Sequence, residues 1–213
     1  MHCDYHAYFF DLDGTLLDTN ELIYQCFVRS CGRFVTGGIS REQVSANTGI
    51  PLREQIVMNI GPRPEQELEA IMKEHMTYQL EIYPRYLTAL PTVRNGLAKL
   101  KDRGKHCLIV TSRRRHTCEL YLQETGLLPF FTHLVTPEST TRHKPHPEPV
   151  LKACELARCT PQDTLFIGDT EYDIECGCRA GSATALVAWS KQNPSTFSYK
   201  PSFLLQSIDD LIP

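Results

Sequence analysis

Apolar stretches of this sequence end repeatedly in polar residues of the types that bind and transfer phosphoryl groups. These residues are Asp11, Asp13, Thr111, Ser112, Lys144, Asp169 and Asp173. Carboxylates can act as nucleophiles, as proton carriers and as ligands of hard cations, whereas hydroxyl and ammonium groups hold phosphate oxygens. The combination predicts phosphoryl transfer, provided that the fold brings these side chains together.

A carboxylate that attacks a phosphate dianion needs a cation beside it. At about 4 Å and an effective dielectric constant near 20, each pair of like charges repels by about 4 kcal/mol, so two pairs cost about 8 kcal/mol. Mg²⁺ suits this set because it prefers oxygen ligands and retains several waters. The predicted ligands are the side chains of Asp11 and Asp169 and the main-chain carbonyl of Asp13. Asp173 is either a further ligand or a residue that orients one.

The same residues can divide the steps of the reaction between them. Asp11 is the predicted nucleophile, and Asp13 is the acid that protonates the leaving oxygen and later the base that activates water. Lys144 adds a positive charge to the phosphate site. The Thr111 hydroxyl and the Ser112 amide are expected to hydrogen-bond to phosphate oxygens.

Two arginines and a glycine complete the candidates for phosphate or substrate contact. Arg113 begins a run of three arginines, which is either a solvated surface or a place where a bound anion relieves positive charge at a helix N-terminus. Arg53 lies in a different, helical part of the chain. Gly14 forms the sharp turn after Asp13, and we group it with the phosphate-binding residues.

Parallel strands would bring these residues to one edge of a sheet. The predicted strands are Ala7–Phe10, Cys107–Val110, His133–Val135, Thr164–Ile167 and Thr184–Ala188. Helical patterns lie between them, namely Val93, Leu97 and Leu100 before Gly104, and Val150, Cys154 and Ala157. This alternation predicts an α/β fold with an open, doubly wound parallel sheet, in which ligands bind at the carboxyl ends of the strands.

One long segment interrupts the alternation. From about residue 20 to residue 85 the pattern is helical, with turns at Gly37–Gly38 and Gly61–Pro62. We therefore predict a small helical cap formed by residues 19–85, inserted into a Rossmann-like core formed by residues 1–18 and 86–213.

The composition excludes several classes of partner. The 213 residues include 22 basic and 25 acidic ones, which gives a formal charge of −3 and no general attraction to nucleic acid or anionic membranes. Nine cysteines without a Cys-x-x-Cys pair favour reduced, mostly buried thiols. The sequence has neither a secretory-signal pattern at its N-terminus nor an apolar stretch of roughly 20 residues. We expect a cytoplasmic monomer or homodimer that acts on a small phosphorylated metabolite.

Four motifs resemble those of the haloacid dehalogenase superfamily, in particular its phosphoglycolate-phosphatase-like and pyrophosphatase-like branch. The first motif is similar to residues 11–19 (DLDGTLLDT), the second to 109–113 (IVTSR), the third to 143–149 (HKPHPEP) and the fourth to 168–174 (GDTEYDI). Residues 49–53 (GIPLR) look like the substrate-facing loop of that family. The motifs occur in order along almost the whole chain.

The resemblance implies a Rossmann-like core with a helical cap, Mg²⁺ as cofactor and an aspartyl-phosphate intermediate on Asp11. It makes phosphoglycolate and inorganic pyrophosphate the leading substrates. A sugar phosphomutase of the β-phosphoglucomutase type has the same core residues and is one alternative. A non-catalytic binding or regulatory protein is another, although a scaffold has no use for so much charge at one place.

Overall fold

A parallel sheet forms the centre of the molecule. The computed structural model describes residues 4–211. Its strands are β1 Ala7–Phe10, β2 Leu17–Asp18, β3 Thr88–Ala89, β4 His106–Val110, β5 His133–Val135, β6 Thr164–Gly168, β7 Ala183–Val187 and β8 Phe203–Leu205. Six of them form one sheet in the order β5-β4-β1-β6-β7-β8, and all neighbours run parallel. The predicted α/β fold with a parallel sheet is therefore confirmed.

The five predicted strands all belong to this sheet, whereas its sixth strand, β8, and the two-residue strands β2 and β3 were not predicted. Strands β1 and β5 have the predicted bounds, and the other three differ by one residue at one or both ends. The missed strand, β8, contains three residues and lies at the edge of the sheet, where Leu204 is 50% exposed. Phe203–Leu205 is apolar throughout, but a run of only three residues does not by itself distinguish a strand from other short apolar segments.

Helices cover both faces of this sheet. Within residues 4–211 the α-helices are α1 Asn20–Cys31, α2 Arg41–Ala46, α3 Leu52–Ile60, α4 Glu65–Tyr86, α5 Val93–Asp102, α6 Arg115–Glu124, α7 Glu148–Ala157 and α8 Glu171–Ala180. Successive side chains of a strand point to opposite faces, so Phe10 joins the core beneath α5 while Phe9 joins the core beneath α7. The apolar residues predicted for α5 and α7 lie in these two cores.

Helices α1–α4 form what we call the helical segment, residues 20–86. It has an apolar core of its own, built around Phe27, Ile56, Leu68 and Ile71. Strands β2 and β3, which pair antiparallel, lie immediately before and after this segment. The predicted helicity and the turn at Gly37–Gly38 are confirmed, and Gly61–Pro62 lies in the connection between α3 and α4. The division into a core domain and a cap domain at residues 19 and 85 stays a prediction.

Two further observations concern the cysteines and the character of the helices. The eight cysteines within residues 4–211 are free thiols, and six of them are buried; Cys3 lies outside the described residues. Across the same part of the chain, none of the helices combines the length and the apolar character that a membrane span requires.

Candidate active site

The topology of the sheet brings the predicted site residues together. Asp11, Thr111 and Asp169 each directly follow the last residue of a strand, namely β1, β4 and β6. Because β1 lies between β4 and β6 and all three are parallel, their carboxyl ends meet at one edge. Asp11 and Asp169, which are 158 positions apart in sequence, thus become neighbours, as expected for an open α/β sheet.

Three carboxylates and one lysine form the centre of the site. Single carboxylate oxygens of Asp11, Asp169 and Asp173 all lie within 4.8 Å of one another. Lys144 Nζ lies 2.6 Å from Asp173 Oδ1 and 3.0 Å from Asp11 Oδ1, and all three of these side chains are almost completely buried. One ammonium group therefore balances only part of the negative charge of the cluster.

The charge state of the cluster follows from burial and from this shortage of positive charge. Burial raises the pKa of Asp11 to about 7, an effect that Lys144 only partly offsets. Burial and the neighbouring carboxylates of Asp173 and Asp11 raise the pKa of Asp169 well above its ordinary value. Burial alone would lower the pKa of Lys144, but Asp11 and Asp173 outweigh it and raise that pKa, so the lysine is charged at neutral pH.

This donor set fits a hard divalent cation. Asp11 Oδ1 is buried and has an ion-pair contact with Lys144 Nζ at 3.0 Å, but it has no hydrogen-bond partner by geometry within residues 4–211. A buried carboxylate oxygen is normally satisfied by a donor or a metal. The oxygens of Asp11 and Asp169 are therefore suited to hold a cation such as Mg²⁺, which takes oxygen ligands.

The loop after β1 is shaped around Asp169. Gly14 has a φ of +75°, and a Cβ atom there would lie 2.2 Å from Asp169 Oδ2. Thr15 Oγ1 donates to Asp169 Oδ1 at 3.2 Å. The Ser190 hydroxyl donates to the main-chain oxygen of Asp169, and the Trp189 indole donates to that of Gly14. Gly14 thus allows the close approach of Asp169, whereas its predicted contact with phosphate stays a prediction.

Asp173 is held by the start of α8. Its Oδ2 accepts hydrogen bonds from the amide and the hydroxyl of Thr170, in a capping box at the helix N-terminus. Its Oδ1 accepts the hydrogen bond from Lys144. Both carboxylate oxygens therefore already have donors.

Asp13 is engaged by Arg113 and Thr19. Arg113 Nη2 and Nε donate to the two Asp13 oxygens at 2.7 and 2.8 Å, which is a bidentate ion pair. The Thr19 hydroxyl also donates to Asp13 Oδ1, at 2.6 Å. Arg113 was predicted to contact substrate, and in this structure its guanidinium contacts an acid of the site.

The two residues that follow β4 differ in their contacts. Thr111 is buried, and its hydroxyl accepts a hydrogen bond from the amide of Arg113 at 3.1 Å. The Ser112 hydroxyl donates to the main-chain oxygen of Gly49, in the helical segment, at 2.7 Å. Their predicted contacts with phosphate remain predictions.

A cavity of about 280 Å³ separates the carboxyl edge of the sheet from the helical segment. Six predicted site residues line it, namely Asp11, Asp13, Arg53, Thr111, Ser112 and Arg113. Lys144 and Arg53 also line an adjoining groove. The Arg53 side chain, 47% exposed, forms a surface ion pair with Glu65 and remains a candidate for substrate contact.

Thr19, Gln79 and Tyr121 contact residues of this site and were not predicted from the sequence. Gln79 and Tyr121 contact the guanidinium of Arg113 from α4 and α6. Gln79 is 4% exposed and follows His75 by four residues on the buried face of α4. A glutamine at an apolar-face position was a usable signal, because buried polar side chains have hydrogen-bond partners. Tyr121 gave no such signal, since an aromatic residue at that position is ordinary core.

Comparison with known proteins agrees with this geometry. Residues 8–187 match the family described as haloacid dehalogenase-like hydrolase. The chain belongs to this family. Among the similar proteins, pyrophosphatase PpaX of Bacillus cereus is 36% identical over 205 residues, which cover 96% of this chain and 93% of the relative. Pyrophosphatase PpaX of Anoxybacillus flavithermus is 34% identical and covers 95% and 93%.

Solved structures of haloacid dehalogenase-like proteins have the same fold. A haloacid dehalogenase-like hydrolase from Bacteroides fragilis superposes with a TM-score of 0.89 at 26% identity, covering 98% of this chain and 100% of that one. A predicted phosphoglycolate phosphatase from Haemophilus somnus gives a TM-score of 0.87 at 21% identity, covering 99% and 98%. The family and the hydrolase class predicted from the sequence are therefore confirmed.

Proposed function

We propose that this chain is a Mg²⁺-dependent phosphatase that forms an aspartyl-phosphate on Asp11. The observation that supports it is the meeting of Asp11, Asp169, Asp173 and Lys144 at one sheet edge, next to the cavity that Asp11 lines. Buried acids with raised pKa values and a specific charge partner, beside a cleft, are typical of catalytic sites.

The reaction has two steps in this proposal. An oxygen of Asp11 attacks phosphorus, the bond from phosphorus to the leaving oxygen breaks, and that oxygen takes a proton from Asp13. In the second step Asp13 takes a proton from water, whose oxygen forms a new bond to phosphorus. The bond between phosphorus and Asp11 then breaks, which releases phosphate and restores the Asp11 carboxylate.

Different residues hold the metal and the phosphate in this proposal. Mg²⁺ held by Asp11, Asp169 and the main chain of Asp13 would supply positive charge against the repulsion between carboxylate and phosphate. Asp173 would orient Lys144, because its own oxygens already have donors. Lys144, Thr111 and the Ser112 amide would hold phosphate oxygens.

The proposed substrate is a small phosphorylated metabolite. Inorganic pyrophosphate leads, because relatives about one-third identical over nearly the full chain are named pyrophosphatases. Phosphoglycolate is the second choice. The cavity of about 280 Å³ can accommodate a small molecule.

Phosphate release in the presence of Mg²⁺, measured over a panel of small phosphorylated metabolites that includes both compounds, tests the proposal. Asp11→Asn should lower turnover at least about 10³-fold, because an amide cannot serve as the nucleophile. Asp102→Asn, the same substitution at an exposed position of α5, is the matched control and should keep full activity. Acid quench with a radiolabelled substrate should leave hydroxylamine-sensitive label on the unaltered protein and none on Asp11→Asn.

Three outcomes would contradict the proposal. Full activity of Asp11→Asn would remove the assigned nucleophile. Conversion of a hexose 1-phosphate into the 6-phosphate without free phosphate would indicate a mutase. Absence of Mg²⁺-dependent turnover with every phosphoester would favour a binding protein on this fold.

A further inference from the structure

The environment of Arg113 is unusual for a residue in a run of three arginines. Its side chain is only 6% exposed, and that of Asp13, its partner, is 14% exposed. The side chains of the next two arginines are not so enclosed, since Arg114 and Arg115 are exposed residues. Burial of a guanidinium is unfavourable unless it is paired and hydrogen-bonded. The position of Arg113 therefore calls for a role that the neighbouring arginines do not have.

Arg113 fixes the orientation of the Asp13 carboxylate. An ionised carboxylate has about four lone-pair sites for donors. Two are taken by the bidentate contact with Arg113 and one by Thr19. The remaining site is on Oδ2, and Asp13 lines the cavity. The surrounding donors thus leave one direction for proton exchange.

The opposite side of Arg113 is held by the helical segment and by α6. Arg113 Nη1 donates to Gln79 Oε1 of α4 at 3.2 Å. The guanidinium carbon lies 4.5 Å from the centre of the Tyr121 ring, which itself stacks on Tyr83 of α4 at 5.4 Å. Arg113 therefore joins an acid of the sheet edge to a helix of the helical segment.

We propose that Arg113 is a positioning residue that orients the Asp13 carboxylate toward the leaving oxygen. Because Arg113 also contacts α4, this orientation depends on the position of α4. The inference rests on the proposed function, in which Asp13 is the proton carrier. Three of the five guanidinium N–H groups donate within the protein, one each from Nε, Nη1 and Nη2, and the predicted direct contact with substrate stays a prediction.

Leaving groups of different acidity separate positioning from general damage to the site. An alkyl phosphate such as phosphoglycolate needs a proton on its leaving oxygen, whereas p-nitrophenyl phosphate releases a stable phenolate. Arg113→Met should lower kcat/KM for the alkyl phosphate about 100-fold, since general acid catalysis is worth about 10² to 10⁴ and depends on geometry. For p-nitrophenyl phosphate the expected loss is below about 5-fold. An equal loss with both substrates would overturn the proposal.

A double-mutant cycle with Asp13 gives a second readout. Asp13→Asn should show the same selective loss, and adding Arg113→Met should lower kcat/KM for the alkyl phosphate no further, because both substitutions remove one function. Additive losses would show that Arg113 acts independently of Asp13 and would overturn the proposal.

Matched variants keep the test decisive. Arg115→Met removes the same charge at an exposed position and should leave both kcat/KM values within about 2-fold. Arg113→Lys keeps the charge without the bidentate contact, so it serves if Arg113→Met does not fold; its loss should be intermediate and equally selective. Gln79→Leu should give a smaller loss that is selective for the alkyl phosphate in the same way. If neither Arg113 variant showed a selective loss, the inference would be contradicted.

The failure of this inference differs from the failure of the proposed function. If Arg113 is misassigned, unaltered protein still hydrolyses both substrates and Asp11→Asn still does not. If the proposed function is wrong, Asp11→Asn retains activity or the unaltered protein has none.

Discussion

At the scale of single residues, burial decides which side chains at this site carry charge. Asp11, Asp173, Lys144 and Arg113 have lost nearly all contact with solvent, and ion pairs and hydrogen bonds replace that contact. For His75, burial instead favours the neutral form of the side chain. Its side chain is 2% exposed, its ring lies 4.9 Å from that of Phe27, and Ser30 is its hydrogen-bond partner at Nδ1. Burial first and Arg113 second lower the pKa of His75 to about 3.

His75 therefore predicts a pH dependence of folding. The unfolded chain binds a proton on this histidine below about pH 6.5, whereas the folded chain does not until about pH 3, so stability falls as the pH falls. Between pH 7.5 and pH 5 this residue should account for a loss of about 2 kcal/mol in the free energy of unfolding.

Urea unfolding of the unaltered protein and of His75→Asn at several pH values, without divalent cations, measures this loss. The asparagine amide can keep the hydrogen bond with Ser30 but cannot take up the proton. The curve of unfolding free energy against pH should therefore be less steep for the variant, because the variant takes up as much as one proton fewer on unfolding. Two parallel curves would show that His75 is not the group responsible.

At the scale of elements, the loop between α2 and α3 fastens the helical segment to the sheet edge. The main-chain oxygen of Gly49 accepts the hydrogen bond from Ser112, the residue after Thr111. Gly49 has a φ of +105°, and a Cβ atom there would lie 2.8 Å from Thr170 Oγ1 and 3.1 Å from a ring carbon of Tyr172. Only a residue without a side chain allows this approach.

Substitution of Gly49 tests whether that contact matters for turnover. In Gly49→Ala the methyl group should push the loop away from Thr170 and break the hydrogen bond with Ser112. Because closure of such segments excludes water and completes the site, kcat/KM for the best substrate should fall at least about 10-fold.

Gly38→Ala is the matched control for backbone strain. Gly38 also has a positive φ, +84°, but nothing lies within 4 Å of an added Cβ. Both variants should lose about 1 kcal/mol of stability, measured by urea unfolding. Full activity in Gly49→Ala, or an equal loss of activity in Gly38→Ala, would contradict the role of the loop contact.

At the scale of the whole molecule, the clustered acids of the site should lower the stability of the folded chain. Burial and the neighbouring acids raise the pKa of Asp169, which means that its ionised form at neutral pH is less favourable in the folded chain than in the unfolded one. Functional sites often lower the stability of the folded chain in this way. Mg²⁺ binding should raise that stability, since a ligand of the folded state stabilises it by mass action.

Thermal unfolding with and without Mg²⁺ measures the effect. At a Mg²⁺ concentration 100 times its dissociation constant, the gain of about 2.7 kcal/mol should raise Tm by about 5 to 10 °C. Asp169→Asn should have a higher Tm than the unaltered protein in the presence of EDTA and should not respond to Mg²⁺.

Asp102→Asn controls for the change in net charge and should respond to Mg²⁺ like the unaltered protein. An unchanged response to Mg²⁺ in Asp169→Asn would show that this acid does not hold the cation.

The sequence by itself determined the α/β class, five of the six strands of the sheet and the residues that meet at its edge. Buried parallel strands are continuous apolar runs, and Asp11, Thr111 and Asp169 stand directly after such runs, so local patterns carry this information. The order of parallel strands then requires their carboxyl ends to meet. For the same reason, the family motifs could be identified before any contact was known.

Only the tertiary structure decided what each of these side chains touches. Sequence spacing could not show that Arg113 turns inward to Asp13 and Gln79, or that Ser112 contacts Gly49 in the helical segment, because these pairs lie between 34 and 100 positions apart. Strand β8 was likewise defined by its neighbour β7 rather than by its own three residues. Such contacts depend on how the helical segment packs against the sheet, and no local pattern encodes that packing.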